Sequence, residues 1–220
     1  RYRAKKVTGN DNSYLYQIVK KLSSDANLPM PGVYIIPEKT PNAFATGRNP
    51  SHAAVAVTEG ILGILTKEEL SGVLAHELAH IKNRDTLTST VAATLVGALT
   101  MIGQMGRYGS SNRSRNPMVL LLIIIIPVAA LLIRMLISRI REYEADADGA
   151  QISGQPLALA NALNKLHTGV AKYPISKGTP ADSHLFIINP FLGGLQNLLS
   201  THPPVEKRMK KLEEMAGLNA

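Results

Sequence analysis

Between Arg115 and Arg134 the chain carries eighteen consecutive uncharged residues, beginning Asn116-Pro117 and continuing MVLLLIIIIPVAALLI. As a helix such a run rises about 27 Å, close to the roughly 30 Å hydrocarbon core of a bilayer. Pro127 interrupts it, which a membrane helix tolerates where neighbours satisfy the freed carbonyl. A second uncharged stretch, residues 86–106, lies between Asp85 and Arg107. It is richer in Thr, Ser and Gly, as suits a membrane helix packed on other helices. The nine residues RYGSSNRSR join the two stretches. The sequence therefore predicts a transmembrane helical hairpin over residues 86–137. Lys82, Arg84, Arg134, Arg139 and Arg141 flank its open end, against Arg107, Arg113 and Arg115 in the loop. That imbalance places the rest of the chain on the cytoplasmic side.

Composition narrows the field further. The chain has no Cys, which excludes disulfides, cysteine-ligated metals and thiol nucleophiles. Lys plus Arg is 24 against 16 Asp plus Glu, a formal charge of +8. Such a balance suits an anionic membrane surface or nucleic acid. The cations are scattered, and with three Phe and no Trp there is no stacking platform, so no nucleic-acid partner is expected. The chain has no signal peptide and begins with Arg1, so it reads as a fragment whose upstream membrane spans are missing.

Outside the hairpin the pattern is α+β, mostly helical with a small sheet. Asp11, Asn12 and Ser13 precede a helical spacing of Leu15, Ile18, Val19 and Leu22, and LPMPG ends it. VYII at 33–36, NAFATG at 42–47 and HAAVAV at 52–57 are strand candidates, the last two joined by a GRNPS turn. Glu59 reads as a helix-start residue. Thr66 with Glu69 is a capping box opening a helix to about Arg84. A helix follows the hairpin to Gly154, another covers about 156–168, and Pro203 or Pro204 starts the last. The expected division is 1–85, a catalytic first part; 86–137, the hairpin; and 138–220, a catalytic second part.

The capped helix contains HELAH at residues 76–80. His76 and His80 are four apart and leave one helix face, so both rings can reach one ion. Imidazole is a preferred zinc ligand, and Glu77 is close enough to act as general base on water at the metal. A catalytic zinc needs a third protein ligand and an open position. REYEADADG at 141–149 is the dense acidic cluster that remains. Glu142 and Asp146 share a helix face, whereas Glu144 lies about 200° round from Glu142. Glu142 is the favoured ligand with Glu144 as the alternative, and Asp146 would accept the Nδ1–H of a ligating His. His52, His167 and His184 have no ligand at useful spacing.

HELAH followed by EYEAD, with NAFATG upstream and STHPPVEKR downstream, resembles the HtpX-type membrane zinc metalloproteases, relatives of the type I CAAX prenyl proteases. The resemblance covers nearly the whole chain. It implies a zincin-like domain interrupted by the hairpin and facing the cytoplasm, a multi-pass place in the cell's inner membrane, and one zinc per chain. It also implies an endopeptidase acting on misfolded or membrane proteins in stress response and quality control. Glu142 maps to the family's third ligand. His202 and Arg208 map to a His and Arg beside the metal, suited to stabilising a tetrahedral intermediate. NAFATG maps to a strand beside the cleft, with Asn42, Ala43 and Phe44 nearest an extended substrate. The alternatives are a non-catalytic membrane module with a structural metal, and a CAAX-type prenyl-peptide processing protease. Natural substrate and oligomeric state are not legible in the sequence.

Overall fold

The computed structural model describes residues 3–11, 13–108, 117–172 and 203–217; side chains at 99, 102–108, 117–120, 122–124 and 170–172 are also outside the description. Four strands form one mixed sheet: β1 (Lys5–Val7), β2 (Gly32–Ile36), β3 (Ala43–Gly47) and β4 (Ala53–Thr58), in the order β1-β2-β4-β3. β2 and β4 run parallel, while β1 and β3 pair antiparallel at the two edges. The three expected strands are thus present. β1 escaped the sequence reading, because three residues with two lysines carry no period-two pattern.

The helices are α1 (Tyr14–Asp25), α2 (Glu59–Ile64), α3 (Lys67–Lys82), α4 (Asp85–Tyr108), α5 (Pro117–Ser153), α6 (Pro156–Lys172) and α7 (Val205–Met215). Ser13 is the N-cap residue of α1 but makes no side-chain cap bond. Asp11, expected to help start that helix, instead accepts from the Thr8 backbone N–H and hydroxyl. Thr58 caps α2, so Glu59 stands at its first turn as expected. The capping box of α3 is complete: Thr66 Oγ1 accepts from Glu69 N at 3.2 Å, and Glu69 Oε2 accepts from Thr66 N at 2.8 Å.

α3 is the axis of the core. Leu70, Val73, Leu74, Ala75 and Leu78 are buried on it, against Leu15, Val19 and Leu22 of α1, Val33, Val55 and Val57 of the sheet, and Leu159, Leu163 and Leu166 of α6. It is buried on nearly every side, and that is why its hydrophobic stripe is hard to read. α5 crosses it at Gly149, where an added Cβ would meet the Cα and N of His76 at 2.8 Å. No side chain fits between the two backbones there, and this close crossing brings the acidic turn of α5 onto the HELAH turn of α3.

α5 is continuous through residues 137 and 138. α4 packs along it, and together they leave Leu87, Val91, Leu95 and Met101 on one helix and Leu121, Ile125, Val128, Leu132, Leu136 and Ile140 on the other exposed. Among the described residues no helix is long and apolar enough to cross a membrane. Of the hairpin expected from sequence, the loop at 109–116 and the side chains flanking it lie outside the described residues.

Candidate metal centre

The Nε2 atoms of His76 and His80 stand 3.2 Å apart. Glu142 reaches in from α5, its Oε2 at 3.8 Å from His76 Nε2 and its Oε1 at 3.6 Å from His80 Nε2. The three side chains offer ligand atoms all within 4.8 Å of one another. Ligand bonds of 2.0–2.1 Å in a tetrahedron give ligand-to-ligand edges of about 3.3 Å. The two imidazole nitrogens already stand at about that edge, and the nearest Glu142 oxygens lie a little beyond it, at 3.6 and 3.8 Å. Two imidazole lone pairs do not tolerate such an approach unless a proton or a cation lies between them.

What stands behind each ring supports the same reading. His76 Nδ1 is 3.0 Å from Asp146 Oδ1, off the line of a good hydrogen bond, and His80 Nδ1 is 2.5 Å from Asp85 Oδ2. A carboxylate at Nδ1 favours the Nδ1–H tautomer and leaves the Nε2 lone pair for an ion. The charge count agrees. Glu77, Asp85, Glu142 and Asp146 are buried carboxylates, and Arg208 and Arg141 are the guanidinium groups bound to them. These carboxylates leave the site rich in negative charge, which the raised His80 and Glu77 meet with protons in the metal-free chain and which a divalent cation could meet in their place.

Arg208, on α7, is 1% exposed. Its Nε and Nη2 donate to Asp146 Oδ2 and Oδ1 at 2.7 and 2.6 Å, a bidentate pair, and its Nη1 lies 3.3 Å from Glu142 Oε2. Burial would raise the Asp146 carboxyl, but Arg208 and His76 outweigh it and hold it down at about 2. Burial would likewise lower the His80 imidazole, yet the bond to Asp85 and the charges of Glu142 and Glu77 lift it to about 9. For Glu77 burial dominates and pushes the carboxyl up, with His76 and His80 pulling the other way.

Glu77 itself is tied to the sheet. Its Oε2 accepts from the Ala45 backbone N–H at 2.8 Å. Ala45 belongs to edge strand β3, so this N–H points away from β4 and into the cleft beside α3. The residues named from NAFATG divide accordingly. Asn42 is turned towards β4: its backbone N–H donates to Thr58 Oγ1 at 2.9 Å, and its carbonyl accepts from Thr58 N and Oγ1. Its main chain is therefore taken up inside the sheet. The outward-facing main chain is that of Ala43 and Ala45, with Ala43 buried and Phe44 partly so. Glu144 is exposed on the far side of α5 from Glu142. His52 is exposed, in contact with Arg48 and Asn49, and His167 is exposed on α6. His184 and His202 lie outside the described residues.

Sequence reading missed Asp85 and Arg141 as parts of this site. Asp85 marked only the end of the soluble segment, and Arg141 only a membrane-flanking charge. Arg141 Nη2 in fact donates to Asp85 Oδ1 at 2.7 Å.

A family model described as peptidase family M48 matches residues 10–216. A protease HtpX homolog from Desulfatibacillum aliphaticivorans is 52% identical over 222 residues, covering 96% of this chain and 71% of that protein. A protease HtpX homolog from Thermococcus sibiricus is 49% identical over 227 residues, covering 98% of this chain and 78% of that protein. Among solved structures, the crystal structure of S. mikatae Ste24p superposes with a TM-score of 0.62 at 18% identity, covering 96% of this chain. This chain spans about half of that structure (51%), and the likeness is one of fold.

Proposed function

The chain belongs to peptidase family M48 and is a metallopeptidase, a hydrolase of peptide bonds; from that premise we propose an integral-membrane zinc endopeptidase with His76, His80 and Glu142 as the metal ligands. The observation that carries the reading is the convergence of two imidazole Nε2 atoms and one carboxylate, each imidazole backed by an aspartate at Nδ1. A structural zinc closes its fourth position with a protein ligand, whereas this set stops at three among the described residues.

When bound, the ion would supply Lewis acidity, lowering the pKa of water and polarising a scissile carbonyl. Glu77 is the general base. Ala45 N–H holds one of its oxygens, leaving the other to take a proton from the attacking water and return it to the leaving amine. Burial raises its carboxyl towards the range where both transfers are easy. Asp146 orients His76, and Arg208 holds Asp146 while lending positive charge beside the ligand oxygens. His202 is assigned to the same side of the site from the family resemblance alone. An extended polypeptide would lie along the free edge of β3, meeting the main chain of Ala43 and Ala45 with Phe44 beside it.

The apolar side chains exposed along α4 and α5 support a membrane place for the segment 86–137, between catalytic parts 1–85 and 138–220. The basic flank at its open end supports a multi-pass protein of the inner membrane, with the catalytic body facing the cytoplasm. Misfolded or membrane proteins are the proposed substrates, a reading consistent with the similarity to the HtpX homologs.

Two experiments test this. Glu77→Gln should retain about one zinc per chain by elemental analysis and lose casein cleavage by roughly 10²- to 10⁴-fold. Cleavage at the wild-type rate would end the mechanism. The full chain should partition into the detergent phase of a cloud-point separation; recovery as a detergent-free monomer in buffer would remove the hairpin.

A further inference from the structure

His76 is held from within the body, whereas His80 is held from the root of the arm that α4 and the first part of α5 form together. Asp85 is five residues past His80, and α3 ends at Lys82. Had the helix simply continued, residue 85 would sit about 140° round the axis from residue 80, facing away. The chain turns instead. Arg84 takes φ 54°, a left-handed conformation that a residue with a Cβ adopts only when its surroundings impose it. The next residue, Asp85, opens α4 and swings back onto His80 Nδ1.

α5 fixes this turn at two points. Asn83 Nδ2 donates to Asp148 Oδ2 at 2.7 Å, and Arg141 Nη2 donates to Asp85 Oδ1 at 2.7 Å. Residues 141 and 148 are seven apart, two turns along one face of α5. The two oxygens of Asp85 thus serve different partners, Oδ2 facing the imidazole and Oδ1 accepting from the guanidinium. The other terminal nitrogen of Arg141 is buried with no hydrogen-bond partner among the described residues, so Asp85 is the anion that keeps this cation paired. The arrangement repeats, with different elements, the imidazole–aspartate–arginine chain behind His76.

We propose that Asp85, oriented by Arg141, is a positioning residue for the metal ligand His80, so that the seating of the hairpin root on α5 sets how tightly the site holds its ion. The proposal rests on the reading of His76, His80 and Glu142 as ligands, and it adds that the arm is wired to that site. A merely structural Asp85 would also matter, since it starts a helix and neutralises a buried cation. The two roles separate because only one of them involves His80.

The test uses the full chain in detergent, with zinc affinity measured by chelator competition and the melting temperature of the chelated chain measured alongside. Asp85→Asn should weaken zinc binding about 10- to 100-fold and lower the metal-free melting temperature. Adding Arg141→Gln removes the stranded cation, so the double variant should recover the melting temperature and keep the weakened affinity. Zinc affinity unchanged in Asp85→Asn, while His76→Ala loses it, overturns this inference and leaves the metal site standing. Affinity that recovers together with stability in the double variant also overturns it. A wild-type chain that binds no zinc overturns the metal reading and this one with it.

Discussion

The two histidines of the site are held by the same chemistry in opposite settings. His76 is backed by Asp146 and Arg208, and its side chain is 3% exposed; His80 is backed by Asp85 and Arg141, and its side chain is 21% exposed. The first set joins α3, α5 and α7, elements far apart in the chain, and seals the back of the site. The second joins α3 to the start of α4 and the adjoining turn of α5, beside β3 and the cleft. A buried ion pair costs desolvation that its own attraction barely offsets, so removing one partner is far worse than never having had the pair. The arm-side set is less deeply buried, with the His80, Asp85 and Arg141 side chains 21%, 12% and 11% exposed, and can draw more on water. The buried side should therefore govern whether the body folds, and the arm side should tune a site that folds regardless.

The largest effect follows from that contrast. Arg208→Met strands Asp146 and leaves Glu142 less compensated, and should cost about 3–5 kcal/mol of stability, the usual penalty for an orphaned buried charge. Arg141→Met strands the less buried Asp85 and should cost about 1–2 kcal/mol. Denaturant unfolding of the chelated variants in one detergent measures both, and equal losses would dissolve the distinction. Acid gives a milder version. Asp146 is held at about 2, below its ordinary 3.8. A depressed carboxylate stabilises the fold fully above its unfolded value, and that stabilisation drains away as pH falls through the folded one. Metal-free wild type should therefore lose stability from near pH 4 down towards 2, and Arg208→Met should lose less of it over that window.

The arm side was also the harder one to read from sequence. HELAH on a capped helix, Glu142 four residues before Asp146, and the strand at NAFATG all follow local periods, and local periods are what a sequence displays. The helix-face reasoning that separated Glu142 from Glu144 needed only the pitch of α5. Arg208 could be placed beside the site only through the family resemblance, because its partner Asp146 lies 62 residues away. Asp85 and Arg141 had no such help. Their meeting depends on a left-handed turn at an arginine, a residue type that gives no warning of positive φ. Arg141 also carries a charge for which the membrane-topology count already accounts, and Asp85 served only to bound the uncharged stretch. β1 stayed hidden for a different reason: its strand character comes from pairing with β2, not from its own residues.

The smallest effect tests whether α3 itself takes sides. Its N-terminus is closed by Thr66 and Glu69, and Glu69 also accepts from Lys165 of α6 at 2.8 Å. Both capping residues lie about two turns or more before His76, on the face that packs towards α6. Thr66→Ala removes one cap bond and should cost about 1 kcal/mol. The loss should appear in denaturant unfolding and leave zinc affinity where it was, since neither histidine–aspartate–arginine chain touches the cap. A fall in affinity beyond about twofold would mean that fraying at Thr66 travels along α3 to the ligands. The helix would then no longer be the rigid axis against which the buried and arm sides can be compared.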